Sequence, residues 1–554
     1  MEQFFLEPEE IRGLGLEKKG QQKTDAGGID LLSDGFNRVI AVGEENCMVV
    51  GITASGKTRS NGIELLENLI DAEESFISVD AKNTSYRYTF NYAKDAGYKT
   101  FILNLRDPLK SQFWNPLGHL WKLYHSGDFR EKDKAIRGLL DMGNCIFQVE
   151  ENEAVKDLFW IHSARSLFVA VCLALFIYGK EEQATLYNAY KMVVEGDRKI
   201  VINSVLKIFF EEMIGTNTEA YQYASGYILA PNETRGGILS TYLDKMTLFA
   251  GLSVRNLLSH AGFEMSDIKD DEKVGIYVIL PDENRNFHQI GAMFIKMLYQ
   301  HYLEMAESRG GFCRKRFNFV IDEFGNMYIP DAEMMFSAIR SRNGRIYIFL
   351  QTLEQLFSQY GKEKGTTIKD NCGLQYYYAT SNLTTLRELE ELSGQYRGID
   401  ENGIVYMQHV LPAKEIQELP KRYALVRYHG KQYISFFPDI SEYHVKLGEY
   451  ADFQESEILP LEEFDIYHIV AEYKKEKAIE ESQKMKEQSS YLSDRPIFPA
   501  AWDRSPSLQY DMSFGDIDNE KEDKEGGILE GDEEMKISEL IEQLQESLEQ
   551  DKEE

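Results

Sequence analysis

Eight residues, Gly51-Ile52-Thr53-Ala54-Ser55-Gly56-Lys57-Thr58, constrain this chain more than any other stretch. They match the pattern G-x-x-x-x-G-K-[ST]. Glycines let a loop curl until its N–H groups face one point, which binds anions. The lysine then reaches the β- and γ-phosphates of a nucleotide, and the next hydroxyl ligates Mg²⁺. A bare pattern arises by chance, so its surroundings decide. The apolar run Cys47-Met48-Val49-Val50 precedes it, and Thr58 to Ile70 follows with Ile63, Leu66 and Ile70 at helical spacing. Strand, turn and helix in that order aim a helix N-terminus at the phosphates. The competing reading is a plain strand–helix turn. The sequence thus predicts a nucleotide site built from Gly51, Thr53, Ala54, Ser55, Gly56, Lys57 and Thr58, with ATP and Mg²⁺ as its cofactors.

Such a site needs an acid at the tip of a neighbouring strand. Phe317 to Ile321 followed by Asp322-Glu323 supplies one. Asp322 is expected to hold Mg²⁺ through water, and Glu323 to polarise the attacking water. The alternative is a solvated acidic turn. A further strand, Arg345 to Leu350, ends in Gln351, whose side chain can sense the γ-phosphate. Arg340, Arg342 and Arg345 lie between the two strands. In ring motors an arginine is donated to the neighbour's nucleotide, where it stabilises transition-state charge. Arg342 is the first choice for that role and Arg340 the second, against the plain reading of solvated surface arginines.

Further strand patterns occur at Phe76–Val79, Thr100–Leu103, Gly275–Leu280 and Leu374–Ala379, and a hairpin at Tyr423–Phe437 turns on His429-Gly430. Residues 117–270 hold helical patterns, such as Ala154 to Tyr178, and no convincing strand. The expected organisation is an N-terminal extension (1–39), an α/β domain (40–115 and 271–445), an all-α domain between its halves (116–270), and an acidic tail (446–554). The tail's Glu534 to Glu549 puts Ile537, Leu540, Ile541, Leu544 and Leu548 on one helical face.

Composition limits the alternatives. With 554 residues and 43% hydrophobic, the chain can bury several cores. The net charge is 61 − 92 = −31, of which residues 451–554 hold −20, so nucleic acid is not bound by overall charge. Arg314-Lys315-Arg316 is a local candidate for DNA contact. The five cysteines are scattered, with no C-x-x-C pair, which fits reduced thiols rather than a disulfide framework. The apolar run Leu167 to Tyr178 falls short of the roughly 20 residues of a spanning helix. An acidic N-terminus is unlike a signal peptide.

Several blocks beyond the phosphate loop resemble the type IV coupling proteins of bacterial conjugation and type IV secretion, relatives of the FtsK/HerA motors. They are Gly97-Tyr98-Lys99-Thr100 through Asn104-Leu105-Arg106-Asp107-Pro108, Ser111 and Trp114-Asn115-Pro116-Leu117; Asp322-Glu323-Phe324-Gly325-Asn326, Ile329-Pro330 and Arg340-Ser341-Arg342; and Gln351 to Leu356, Tyr360-Gly361, Ile368, Asn371-Cys372 and Thr385 to Gly394. The resemblance runs over roughly residues 45–440. It implies a RecA-like P-loop motor domain bearing an all-α domain, in a homohexamer around a DNA channel. It implies an ATPase that recruits a DNA–relaxase complex and moves single-stranded DNA toward a type IV secretion channel. A duplex-DNA pump and a low-turnover substrate adaptor are the alternatives. The sequence departs from the family in three places, one of them the tail, which resembles family tails only in being acidic and C-terminal. The usual N-terminal transmembrane helices are not seen, so a cytoplasmic protein held at the membrane by a separate anchor subunit is expected. The usual Asp-Pro-Lys-Gly-Glu reads Asp80-Ala81-Lys82-Asn83-Thr84, so no catalytic role is assigned at its last position.

Overall fold

The apolar runs marked as strands come together in one sheet of nine. In chain order these are β1 (Cys47–Val50), β2 (Ser75–Asp80), β3 (Lys99–Asn104), β4 (Val274–Ile279), β5 (Phe317–Ile321), β6 (Gly344–Leu350), β7 (Leu374–Tyr378), β8 (Tyr423–Tyr428) and β9 (Lys431–Phe436). Their spatial order is β9-β8-β7-β1-β6-β5-β2-β4-β3. The computed structural model describes residues 5–52, 55–148, 155–200, 202–399, 405–443 and 447–493. They belong to two compact units, Met1–Lys191 with Asn217–Phe464, and Met192–Thr216 with Asp465–Glu554.

The seven strands from β7 to β3 pair in parallel. Burial on both faces explains their uninterrupted apolar sequences: Val49, Ile77, Val278 and Phe319 are all fully buried. β8 and β9 close one edge as an antiparallel hairpin. Its two turn residues, His429 and Gly430, have φ of 51° and 75°, the left-handed pair that a tight hairpin needs. β1 lies between β6 and β7, with Cys47 in register with both Tyr347 and Leu374. The carboxyl ends of β1, β2, β5, β6 and β7 therefore share one edge, where open α/β sheets bind their ligands.

Between β3 and β4 the chain is mainly helical. Val155–Tyr178, 24 residues long, packs against Phe129–Ile146, Glu219–Ile228 and Asn232–Met246. The apolar stretch of this helix is longer than the run read from sequence. Leu158–Tyr178 is long and apolar enough to cross a membrane, and 67% of its apolar window is buried inside the fold. Phe159, Trp160 and Ile161 extend the stretch beyond the uninterrupted run.

Three small sheets are not apparent in the sequence. Leu16–Lys19, Asp30–Ser33 and Asn37–Ile40 form an antiparallel sheet that fills the N-terminal extension and runs one residue past its expected end at 39. It is masked because its buried positions include charges. Lys18 is fully buried between Glu67 (2.9 Å) and Asp71 (2.6 Å), and Arg38 is buried against Glu67 (2.6 Å). Gln395–Ile399 and Val405–His409 form a separate hairpin. Lys199–Ile200 and Asn203–Ser204 pair briefly where no strand was expected. In the second unit, the helix Ile466–Ser493 sets Lys474 against Glu212 (2.7 Å) and Tyr467 beneath the Arg198 guanidinium (3.6 Å). The amphipathic segment Glu534 to Glu549 lies outside the described residues.

Candidate nucleotide site

The loop after β1 sits at the carboxyl edge of the sheet. Gly51 starts it because nothing larger fits: a Cβ there would come within 2.7 Å of the Tyr378 Cβ on β7. Gly56 has φ +103°, open to glycine alone. Thr53 and Ala54 lie outside the described residues. The helix that follows begins with a π-helical turn, Thr58–Gly62, before the α-helix Ile63–Asp71. Such wide turns recur at functional sites because they re-aim side chains.

Lys57 is buried, and its ammonium donates to the carbonyls of Gly51 and Ile52 of its own loop. Burial lowers its pKa, and the nearby Asp322 and Glu323 carboxylates oppose that fall. The Thr58 hydroxyl donates to Asp322 Oδ2 at 3.0 Å, across 264 residues of sequence. Burial and the neighbouring Asp80 push the Asp322 carboxyl up to about 6, against the pull of Lys57 and the Thr58 hydrogen bond. Glu323 is left-handed at φ 52°, a strained conformation for a residue with a side chain. Its Oε2 accepts from Gln351 Nε2 at 2.9 Å and from Asn326 Nδ2 at 3.4 Å. Burial and then Asp322 raise its pKa. Lys57, Thr58, Asp322, Glu323 and Gln351, drawn from three strand ends, thus meet at one place.

The arginines do not join them. Arg345 is the second residue of β6, whereas Gln351 follows its end, about 20 Å away over six steps of roughly 3.3 Å each. Arg345 is 1% exposed and bound to Glu74 (2.6 Å), Asn318 (3.0 Å) and the Gly27 carbonyl (3.0 Å), so it is a packing residue of the opposite edge. Arg340 and Arg342 lie in the turn Ile339–Arg342 just before β6, at that same opposite edge. Arg340 is exposed. Arg342 is half-buried and donates to the Ala338 carbonyl (3.1 Å) and Ser341 Oγ (2.9 Å) of its own turn. In the basic run, Arg316 donates to the Val42 carbonyl (3.1 Å) and Asn343 (3.0 Å), so it serves the fold.

Other residues reach the site that the sequence did not assign to it: Asp80 and Lys82, met there only as the remnant of the altered Asp-Pro-Lys-Gly-Glu segment, and Arg422, which carried no signal. Asp80 is buried at the end of β2 and accepts from Lys82 N (2.7 Å) and Ser85 N (2.6 Å), anchoring the helix Thr84–Asp95. The Lys82 charge acts on both Lys57 and Glu323. Arg422, just before β8, has its Cγ 3.4 Å from where a Cβ on Gly56 would stand. Only the fold brings these elements to the loop.

The arrangement fits a nucleoside triphosphate with Mg²⁺. Among the described residues, Ser55 Oγ and Ser60 Oγ beside the loop are buried without hydrogen-bond partners. Among the described residues the Lys57 ammonium is satisfied by main-chain oxygens rather than by an ion pair, which lets it change partners. Among the described residues no three or more His, Cys, Asp or Glu side chains form a metal cluster. Mg²⁺ takes one or two protein oxygens and completes its shell with phosphate and water, and the adjoining Thr58 hydroxyl and Asp322 carboxylate offer such oxygens.

Comparison with known proteins agrees with this geometry. The family described as "Type IV secretory system Conjugative DNA transfer" matches residues 7–401. The type IV secretion system-coupling protein VirD4 of Bartonella quintana is 25% identical over 315 residues, 54% of this chain and 46% of that protein. Its Bartonella henselae counterpart is 26% identical over 309 residues, 51% of this chain and 46% of that protein. The chain spans about half the length of these curated relatives. Among solved structures, plasmid coupling protein TrwB with the ATP analogue ADPNP superposes with a TM-score of 0.59 at 14% identity, over 81% of this chain and 95% of that one. TrwB with ADP and Mg²⁺ gives 0.57 at 14% identity, over 82% and 95%. The fold is therefore that of the RecA-like coupling-protein motor with a helical insertion, and the chain belongs to the type IV secretory system conjugative DNA transfer family.

Proposed function

We propose that this protein is a Mg²⁺-dependent P-loop ATPase that couples nucleotide hydrolysis to movement of single-stranded DNA, with its attached relaxase, toward a type IV secretion channel. The observation that carries the ATPase reading is the convergence of Thr58 with Asp322 and of Glu323 with Gln351 at one sheet edge. The loop N–H groups and Lys57 would hold the β- and γ-phosphates, and Thr58 with Asp322 would hold Mg²⁺. When bound, the metal draws charge from the γ-phosphoryl group and makes it open to attack. Glu323 orients a water through its carboxylate and takes up its proton. A raised pKa suits that role, since a base must gain the proton it removes. Gln351 fixes the carboxylate's direction. The acid side of the site also carries Lys82, whose charge counters that of Glu323.

Arg340 and Arg342, at the opposite sheet edge, have no path to their own chain's nucleotide. We place their role in a neighbour's site within a homohexameric ring at the cytoplasmic face of the membrane. Arg340 points outward already, whereas Arg342 must first leave its own turn. Membership of the conjugative transfer family supports DNA as the cargo and the secretion machinery as the partner. The test is phosphate release from full-length protein with and without single-stranded DNA, at a measured oligomeric state. Stimulation by single strands over duplex supports the proposal. Greater stimulation by duplex favours a duplex pump, and turnover that neither DNA changes favours a nucleotide-bound adaptor.

A further inference from the structure

We propose that Arg422 is a second cation of the phosphate site, held beside the loop by Glu442 and turned onto the phosphate chain when a nucleotide binds. This rests on the nucleotide reading above and assigns it a residue from outside the loop, its helix and the acid strand.

Four observations carry it. First, the Arg422 Cγ stands 3.4 Å from the Cβ position of Gly56, the glycine that precedes Lys57. The guanidinium thus hangs from a stem that touches the phosphate-binding turn. Second, Arg422 is one of the few non-glycine residues with positive φ, at +72°. Such a conformation is strained for a residue with a side chain and persists where its surroundings impose it. Here the Arg422 carbonyl accepts from Phe437 N (2.9 Å) and Tyr423 N bonds the Pro420 carbonyl (3.0 Å), so the edge hairpin fixes the direction of the side chain. Third, the guanidinium is lightly held. Its ion pair is with Glu442 Oε1 at 2.6 Å, and the two side chains are 27% and 48% exposed. A pair this wet exchanges readily for a polyphosphate. The Phe436 ring, 5.2 Å from the guanidinium carbon, supports its flat face and leaves its edge free to bond.

The fourth observation is a contrast. Arg59, directly after Thr58, is closer to the loop in sequence but is committed. It grips Asp439 with two hydrogen bonds (2.7 and 2.6 Å) and donates to the Tyr88 hydroxyl (3.1 Å). The site itself carries Asp80, Asp322 and Glu323 against Lys57 and Lys82. A triphosphate adds further negative charge, so another cation on the glycine side of the loop has a clear electrostatic purpose. Arginine suits it because its planar fork matches phosphate oxygens.

The experiment measures equilibrium binding of ATP and of inorganic tripolyphosphate, each with Mg²⁺, to the full chain and to Arg422→Ala, Arg422→Lys and Glu442→Gln. Tripolyphosphate has no base or sugar, so it isolates the phosphate contact. Arg422→Ala should weaken both ligands about tenfold, as loss of one charge-assisted hydrogen bond does. Arg422→Lys should recover part of that loss. Glu442→Gln should tighten both ligands severalfold by removing the competing anion. Loss confined to ATP would overturn the phosphate assignment, and binding of both ligands within twofold of wild type would overturn the role itself. If Arg422→Ala does not fold, Glu442→Gln decides, and unchanged affinity there counts against the proposal. Wild-type protein that binds neither ligand would refute the nucleotide reading and this assignment with it. Wild-type binding with silent variants would refute this assignment alone.

Discussion

Gln351 offers a quantitative test of how the acid strand works. Its Nε2 donates to Glu323 Oε2 at 2.9 Å, and the other donor to that oxygen, Asn326, is at 3.4 Å. Replacing Gln351 with Ala removes the shorter hydrogen bond and leaves the carboxylate held mainly by its backbone. A hydrogen bond to a charged group is worth about 1.5–3 kcal/mol. At roughly 1.4 kcal/mol per decade, kcat should fall about 10- to 100-fold. Gln351 acts here through Glu323 and not through the ground-state nucleotide, so nucleotide affinity should stay within about twofold. Glu323→Gln supplies the reference. It removes the base but keeps the shape, and should lower kcat by a factor on the order of 10²–10⁴ while binding persists. Because Gln351 works through that carboxylate, adding Gln351→Ala to Glu323→Gln should cost almost nothing more. The assay is steady-state phosphate release on the four proteins of this cycle, with affinity measured separately. Fully additive losses, or a Gln351→Ala protein with normal kcat and weaker binding, would refute the positioning role. The second outcome would restore Gln351 as a sensor of the γ-phosphate itself.

Three further outcomes are expected. Lys57→Ala should abolish turnover, and mixing it with Arg340→Ala or Arg342→Ala subunits should restore part of the activity, by pairing an intact loop with an intact arginine; mixed hexamers with no recovery for either arginine would remove both from the neighbour's site. Arg345→Ala should lower folding stability by up to about 3–5 kcal/mol, because it takes the closer cation (2.6 Å) from the buried Glu74 carboxylate and leaves only Arg316 at 3.9 Å, and denaturant unfolding that shifts by less than about 1 kcal/mol would contradict the buried pair. The Arg59 hydrogen bonds hold the Asp439 carboxyl well below the ordinary carboxylate range. The pair therefore stabilises the fold fully above the ordinary carboxylate pKa and less as pH falls below it, so Asp439→Asn should cost up to about 1 kcal/mol at pH 7 and progressively less toward acid, measured by unfolding at a series of pH values.

Much of the site is legible because its chemistry lies next to its strands. Cys47–Val50 leads straight into the loop, Phe317–Ile321 into Asp322-Glu323, and the β6 strand into Gln351. Periodicity then gives each strand end its polar tip. Side-chain direction is less legible. Nothing in the spacing shows that Gln351 points at Glu323, or that Asp80 folds back to anchor a helix. Arg345 reads like Arg340 and Arg342 until the sheet shows it buried with Glu74. Lys18 and Arg38 hide a whole sheet, because a buried ion pair looks in sequence like solvent-facing charge. Arg422 sits between Pro420-Lys421 and a strand, and its approach to Gly56 follows from the antiparallel edge hairpin, a contact across 366 residues. Local pattern carries the elements, and long-range pairing carries what they do to one another.

That long-range pairing also sets the order in which the protein can be made. Cys47 takes its place beside Tyr347 on one side and Leu374 on the other. The strand that carries the phosphate loop leaves the ribosome early, yet both its sheet neighbours emerge about 300 residues later. At ~5–20 residues per second, that is a wait of roughly 15–60 seconds with an apolar strand unpaired on both edges. Closing so large a loop is also slow once the partners are present. The nascent chain is therefore at its most vulnerable to aggregation and proteolysis while the helices between β3 and β4 are being synthesised. A helical region able to bury Val155–Tyr178 on its own would hide the most apolar helix during that wait, without shortening it. A chain that stops before β6 would lack Gln351 and leave the loop-bearing strand unpaired on both edges, however intact its loop sequence.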